Sequence, residues 1–213
     1  MTVRVDLNIS LDGIAMPANQ SAENPMGEDW GRLVADYTAT RTFHERVFHD
    51  MSGEGTTGVD DRYAQEYYDG VGAEIMGSGM FGFHAFPDDP SWKGWWGDEP
   101  PFGYPVLVLS HTEHAPVEFA NGTRFEFGAM STREALDRAG ELAGGADIRI
   151  GGGVGVVREF LAAGLVDRLH VALVPIVLGR GVSLWSDLHN FDLGYAVSSE
   201  TAESGVIHVT LAR

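Results

Sequence analysis

The chain has 213 residues, 44% of them apolar, with 31 acidic against 14 basic side chains and a formal net charge of −17 at pH 7. That composition supplies a core for one domain over residues 1–213, and so negative a surface repels nucleic acid and anionic membrane. Lys93 is the sole lysine and cysteine is absent, which excludes a P-loop lysine, disulfides, thiolate catalysis and zinc–cysteine sites.

From Val3 to Leu11 apolar residues alternate with Arg4, Asp6, Asn8 and Ser10, the period of a strand. The Asp12-Gly13 pair ends it in a turn. Alternation places Asn8, Ser10 and Asp12 on one face near the carboxyl end. Residues 17–31 read as a loop, 31–51 as a helix carrying Leu33, Val34, Tyr37, Phe43 and Val47, and 52–62 as a polar, glycine-rich loop. Ala73 to Met76 is a short buried strand that runs into Gly77-Ser78-Gly79-Met80-Phe81-Gly82. A long proline- and tryptophan-rich loop, 84–104, precedes a strand over Pro105 to Leu109 that ends at Ser110-His111.

Arg124 to Phe127 is a weaker strand. Ser131 and Glu134 form a capping box for a helix through Leu136, Ala139 and Leu142, which Gly144-Gly145 stops. Asp147 to Ile150 is a strand, Val154 to Ala163 a helix closed by Gly164, and Arg168 to Leu178 a long apolar strand. Gly179-Arg180-Gly181 turns the chain into two antiparallel strands, about 195–201 and 205–212. Alternating strands and helices with a final hairpin imply an α/β three-layer sandwich, its central sheet mostly parallel with an antiparallel C-terminal hairpin. The amino terminus lacks a signal-like apolar run. The longest apolar stretch, 171–178, contains Pro175 and is too short for a bilayer, so a soluble cytoplasmic protein is expected.

Two glycine motifs invite a nucleotide. Gly77 to Gly82 matches G-x-G-x-x-G after a strand, but Pro87 and Pro90 break any helix that starts there. It also lacks the acidic residue expected about 20 positions on, so a Rossmann site is rejected. Ile150-Gly151-Gly152-Gly153-Val154-Gly155 joins a strand to a helix start, where free N–H groups and the helix dipole favour an anion. A compact turn that needs glycine only for close packing fits that run equally well.

The chain resembles the dihydrofolate-reductase-like proteins related to the reductase domain of the bifunctional riboflavin-biosynthesis deaminase-reductase. The residues that carry the resemblance are Ser10-Leu11-Asp12-Gly13, Glu28-Asp29-Trp30, Met76 to Phe81, Val106 to Ser110, Ile150 to Gly153, Gly164 to Leu169 and Val174 to Gly181. It implies a dihydrofolate-reductase-like fold and an NADPH-dependent reductase that acts on a small heterocycle, as the riboflavin-pathway aminouracil reductase does, commonly as a homodimer. It places the cofactor on Gly77, Ser78, Met80, Ser110, His111 and the run Ile150, Gly151, Gly152, Gly153, Val154, Gly155. The substrate falls to Asn8, Ser10, Gly13, Trp30 and Arg180, with Arg158 a lesser candidate for a substrate phosphate.

The family usually carries Arg or Lys after Met76-Gly77 and Arg after the Ser110 strand end, where this chain has Ser78 and His111; Met80 stands where Thr is frequent. Neutral side chains lack the guanidinium fork for a 2′-phosphate, so NADH comes into range. Asp12 is the expected proton donor, against an Asx-turn reading. Rival functions are dihydrofolate reductase activity and a diverged, non-catalytic nucleotide-binding or ligand-binding protein.

Asp29 and Trp30 either close over the substrate or are an exposed acid and a core anchor. Trp92, Trp95 and Trp96 form a lid or fold onto their own core. No metal site is expected from His44 and His49 or from His111 and His114. Asp60-Asp61 and Asp88-Asp89 read as solvated loop acids.

Overall fold

The computed structural model describes all residues except 22, 84, 87, 88, 90 and 113. The breaks assigned to Pro87 and Pro90, and the acid Asp88, lie outside the described residues. The chain opens with β1 (Val3–Ser10) and β2 (Ile14–Met16), then four helices: α1 (Trp30–Leu33), α2 (Ala35–Thr38), α3 (Arg41–Val47) and α4 (Val59–Tyr68). There follow β3 (Val71–Gly77), α5 (Ser78–Phe81), β4 (Pro105–Leu109), β5 (Val117–Glu118), β6 (Arg124–Gly128) and α6 (Thr132–Ala143). The last third holds β7 (Asp147–Gly152), α7 (Val154–Ala162), β8 (Arg168–Val174), β9 (Val182–Ser183), β10 (Ala196–Thr201) and β11 (Ile207–Ala212).

Nine strands form one sheet in the order β10-β11-β8-β1-β7-β3-β4-β6-β5, and β2 pairs with β9 in a second small sheet. From β8 to β6 every pairing is parallel; β8–β11, β10–β11 and β5–β6 are antiparallel. The parallel centre needs crossovers, and α6 and α7 supply two of them over one face. That face is apolar. Val5, Ile75, Ile148, Ile150 and Leu169 are fully buried in one core cluster with Ala135 and Ala139 of α6 and Phe160 of α7.

The opposite face is charged, because strand residues of the other parity point there. Arg4, Asp6, Glu74, Arg149, His170 and His208 are all buried. Register sets Glu74 beside Arg149, Arg149 beside Arg4, and Asp6 beside His170. Helix α4 closes over this belt. Arg4 donates to the carbonyls of Glu66 and Asp69, Arg149 lies over the Tyr67 ring, and Tyr63 stacks on His170 and His208.

The three layers, the mostly parallel sheet and the terminal hairpin follow the expectation. Several local features differ. The single helix expected over 31–51 is three short ones, because Val34 leaves helical geometry (φ −116°) and Thr40 is extended and recaps α3 by accepting the Phe43 N–H. The loop expected over 52–62 ends at Gly58, the N-cap of α4, which begins at Val59. Strand β8 stops at Val174 rather than Leu178, since Pro175 has no N–H to continue a ladder. The capping box at Ser131 and Glu134 is present, and Gly144 ends α6 in a left-handed conformation (φ +58°). Among the described residues no helix is long and apolar enough to cross a membrane.

Candidate active site

One cavity of about 1200 Å³ runs along the carboxyl ends of the central strands. Single-ligand pockets hold roughly 300–1,000 Å³, so this one has room for two molecules side by side. One half is walled by Gly77, Ser78, Met80, Ser110, His111 and residues 150–157; the other by Asn8, Trp30, Asp36, Tyr37, Phe43, Tyr63, Tyr67 and their neighbours.

The glycine run does two jobs. A Cβ on Gly151 would fall 1.8 Å from Glu74 Oε1, and one on Gly77 would fall 3.0 Å from Val156, so these two are glycines for close packing. Gly152 has φ +127°, a region that L side chains rarely adopt. At Gly153 and Gly155 a Cβ would meet nothing within 4 Å. These two face open space at the start of α7, whose N-cap, Gly153, has no side chain to bond the first amides. The N–H groups of Val154, Gly155 and Val156 precede the first intrahelical bond, from Val157 to Gly153. The turn is therefore tight on its buried side and accessible to an anion on the other.

The tryptophan loop folds onto α5. Trp92 donates to the Phe81 carbonyl and Trp95 to the Met80 carbonyl, both at 2.9 Å. A Cβ on Gly82 would lie 2.8 Å from either indole. Trp95 and Trp96 form part of the cavity wall, whereas Trp92 packs on Phe86 at 4.1 Å.

Asn8 and Trp30 line the cavity; Ser10, Asp12, Gly13 and Arg180 do not. Ser10 is fully buried and donates to Asp12 at 2.6 Å. The Asp12 carboxylate also accepts the Leu178 and Gly179 amides at 3.1 and 2.7 Å, tying the end of β1 to the turn before β9. The Ser10 hydroxyl and those amides hold Asp12 at a pKa of about 2, so it is ionised and has no proton to give near neutrality. Arg180 is exposed and pairs with Glu28. A Cβ on Gly13 would lie 2.8 Å from the Trp185 ring, so Gly13 is a packing residue.

Among the carboxyls that line the cavity is Asp36 on α2, which no local sequence pattern marks. Burial, with the Asp60 charge adding to it, pushes Asp36 up to about 6 despite hydrogen bonds from its own and Tyr37's amides and from Asn8. The Asn8 amide donates to Asp36 at 2.7 Å and to the Leu33 carbonyl at 3.0 Å. The Asn8 face of β1 is thus wired to the acid.

Asp60 and Asp61 are not solvated loop acids. Asp61 is buried and accepts the Thr42 amide at 2.8 Å, pinning α3 to α4. Asp60 begins a buried chain: it meets His208 Nε2 at 2.8 Å, His208 Nδ1 meets His170 Nε2 at 3.0 Å, and His170 Nδ1 lies 3.3 Å from Asp6. Burial lowers the His208 pKa. A neutral His208 that donates to Asp60 then accepts the His170 N–H. Asp60 sits beside Asp36, so its removal acts on the acid's proton. Asp60→Asn is expected to lower the pKa of Asp36, because a negative neighbour that disfavoured ionisation is gone. Any activity that needs the protonated acid should then fall away at lower pH, read as a displaced upper limb of the kcat–pH profile.

Among the described residues, His44, Asp50 and Glu54 each bring one ligand atom within 4.8 Å of the others. They lie outside the cavity lining.

Residues 1–206 match the family model described as the RibD C-terminal domain. The Bacillus subtilis (strain 168) "Uncharacterized protein YyaP" is 34% identical over 65 residues, covering 30% of this chain and 35% of that protein. The match thus spans about a third of this curated relative. Among solved structures, a putative riboflavin biosynthesis protein from Shewanella sp. PV-4 aligns with a TM-score of 0.59 at 21% identity, covering 100% of this chain and 99% of that one. Dihydrofolate reductase from Enterococcus faecalis complexed with NADP(H) and RAB-propyl aligns at 0.51 with 11% identity, over 100% and 96% of the two chains. Both likenesses bear on the fold, which is dihydrofolate-reductase-like.

Proposed function

The chain belongs to the RibD C-terminal domain family, and on that premise we propose an NAD(P)H-dependent reductase that transfers a hydride to a small heterocycle. One observation carries this reading. A single cavity joins the open amides at the start of α7 to a buried carboxyl, Asp36, that titrates at about 6.

The residues present fit a dinucleotide's pyrophosphate. Gly153 and Gly155 leave room beside the Val154 and Gly155 amides, and the dipole of α7 favours the negative charge. Gly77, Ser78, Met80, Ser110 and His111 would flank the adenosine. When bound, the nicotinamide supplies a hydride. Asn8 orients the substrate half through its bonds to Leu33 and Asp36. Asp36 holds the proton that balances the hydride, with a pKa close enough to neutrality for donation and recovery. The aromatic walls exclude water from the pair.

The cofactor preference rests on what flanks the adenosine. No arginine or lysine lines that half among the described residues, so NADH and NADPH should bind with similar strength. Either at 100 times its Kd should stabilise the fold by about 2.7 kcal/mol, seen as a rise in melting temperature. Ser78→Arg should favour NADPH over NADH by about tenfold or more, the effect of one charge-assisted contact. No shift with either nucleotide at millimolar concentration would sink the reading.

The same missing cations support the rival of a ligand-binding protein without turnover. A cofactor-dependent melting shift without any oxidation of the nucleotide would favour that rival. A homodimer is part of the proposal. It is supported by β10, an edge strand exposed along its whole length with Val197 65% exposed, and light scattering of the purified chain measures it.

A further inference from the structure

We propose that His208 is a positioning residue for this site: acting through Asp60, it decides that the proton shared by two neighbouring carboxyls sits on Asp36. The proposal deepens the reductase reading and rests on it for the role of the acid.

Asp36 and Asp60 line the same cavity, and both are largely buried. The Asp60 charge is felt at Asp36, and of two neighbouring carboxyls an ionised one leaves the other holding its proton. The surroundings decide which is which. Asp36 meets the neutral Asn8 amide at 2.7 Å and lies on a four-residue helix. Asp60 stands in the first turn of the ten-residue α4, where the helix dipole favours a negative charge. It also meets His208 Nε2 at 2.8 Å. Together these put the charge on Asp60 and the proton on Asp36.

His208 is held to that one task. It pairs with Ala172 of β8 across the sheet, and its ring lies flat on Tyr63 of α4, centroids 4.1 Å and planes 5° apart. Its Nδ1 faces His170 Nε2 at 3.0 Å, and His170 stacks on the same tyrosine at 4.3 Å. With Nδ1 accepting from His170, the proton of the neutral ring is on Nε2 and points at Asp60. Burial disfavours a second proton on His208, so the ring serves as a neutral donor. His170 in turn lies 3.3 Å from Asp6. The other charges around this string are paired among themselves: Arg4 and Arg168 with Asp6, Arg168 also with Glu66, and Arg62 with Glu66 and Glu200. Glu203 accepts the Val59 amide at the start of α4. Among the described residues, the side chain that donates to Asp60 is His208.

Withdrawing that N–H leaves a buried anion short of a donor, and the shared proton moves from Asp36 to Asp60. Asp36 then ionises at lower pH. A purely structural role would change stability and leave the titration of Asp36 in place.

Carboxyl carbon-13 NMR of the unliganded chain follows Asp36 directly, its signal identified by loss in Asp36→Asn. The wild-type midpoint should lie at about 6. His208→Leu should lower it by about one pH unit or more, a tenfold change in the ionisation constant. His208→Gln, whose amide can still donate at the Nε2 position, should restore most of it. His208→Asn is too short to reach Asp60; it should shift as leucine does, and it keeps a polar side chain should leucine fail to fold. In the Asp60→Asn background His208→Leu should move the midpoint no further, because the effect passes through Asp60. A midpoint unmoved in the leucine and asparagine variants overturns the proposal. So does a glutamine variant that shifts as far as leucine, or a full further shift in the Asp60→Asn background. The titration needs no cofactor or substrate, so the two readings fail separately. An unmoved midpoint sinks this proposal alone, and a displaced midpoint in a chain that binds neither NADH nor NADPH sinks the reductase.

Discussion

Replacing Asp36 with asparagine is expected to lower turnover by about 10²–10⁴-fold, the usual contribution of a positioned acid, with little change in cofactor affinity. Asparagine keeps the shape and can still meet Asn8, so the loss reports the proton rather than packing. The wild-type profile should decline as pH rises through about 6, where Asp36 loses its proton. In the variant that limb should vanish. Asp12→Asn is the matched control: Asp12 is already ionised below the working range, so its replacement should leave the limb in place. The measurement is kcat and kcat/KM against pH for the three proteins. A limb that follows Asp12 instead of Asp36 would reverse the assignment.

The second large effect is on stability. Glu74 and Arg149 are both fully buried and lie 3.3 Å apart under the cavity floor. Burial raises the Glu74 pKa, and Arg149 opposes that shift. Removing one partner strands the other charge in a dry site, so Arg149→Ala should cost about 3–5 kcal/mol. Glu74→Ala should cost a similar amount. Replacing both with apolar residues of similar size, Glu74→Leu with Arg149→Met, should recover most of it, because the desolvation of both ions is relieved together. Chemical denaturation of the two singles and the double measures this. A double variant as unstable as either single would mean that the pair stabilises in its own right, and one as unstable as their sum would mean that the two charges are not coupled.

Much of the fold was legible because its signals are local. Alternation over Val3–Leu11, the Ser131–Glu134 capping box and the glycine stops need no knowledge of distant residues. Helix α4 was not legible. Its sequence opens on Asp60-Asp61 after three nearby glycines, and one of the residues on its buried face is Asp61, so the apolar stripe is broken by a charge. Yet Tyr63 and Tyr67, four apart, mark one face of it.

The site divides in the same way. The glycine run and the Ser110 strand end could be placed from strand and helix boundaries. Asp36 could not be singled out, although it lies three residues after Leu33 and one before Tyr37, inside the apolar stripe where an acid is unusual. The pairing of Asp6 with His170, and of His208 with both His170 and Asp60, depends on register among β1, β8, β11 and α4. No local pattern carries that information. Asp12 misled because it ends a strand beside a glycine, which serves a turn as well as it serves catalysis. Only its bonds to Leu178 and Gly179, 166 and 167 residues away, separate the two.

The central claim is that this cavity seats a nicotinamide dinucleotide with its pyrophosphate at the start of α7. Crystals soaked in millimolar NADH test it most directly. The pyrophosphate should lie within hydrogen-bond distance of the Val154 and Gly155 amides, with the nicotinamide ring turned toward Asn8 and Asp36. A dinucleotide bound elsewhere, or a cavity left empty at that concentration, would contradict it.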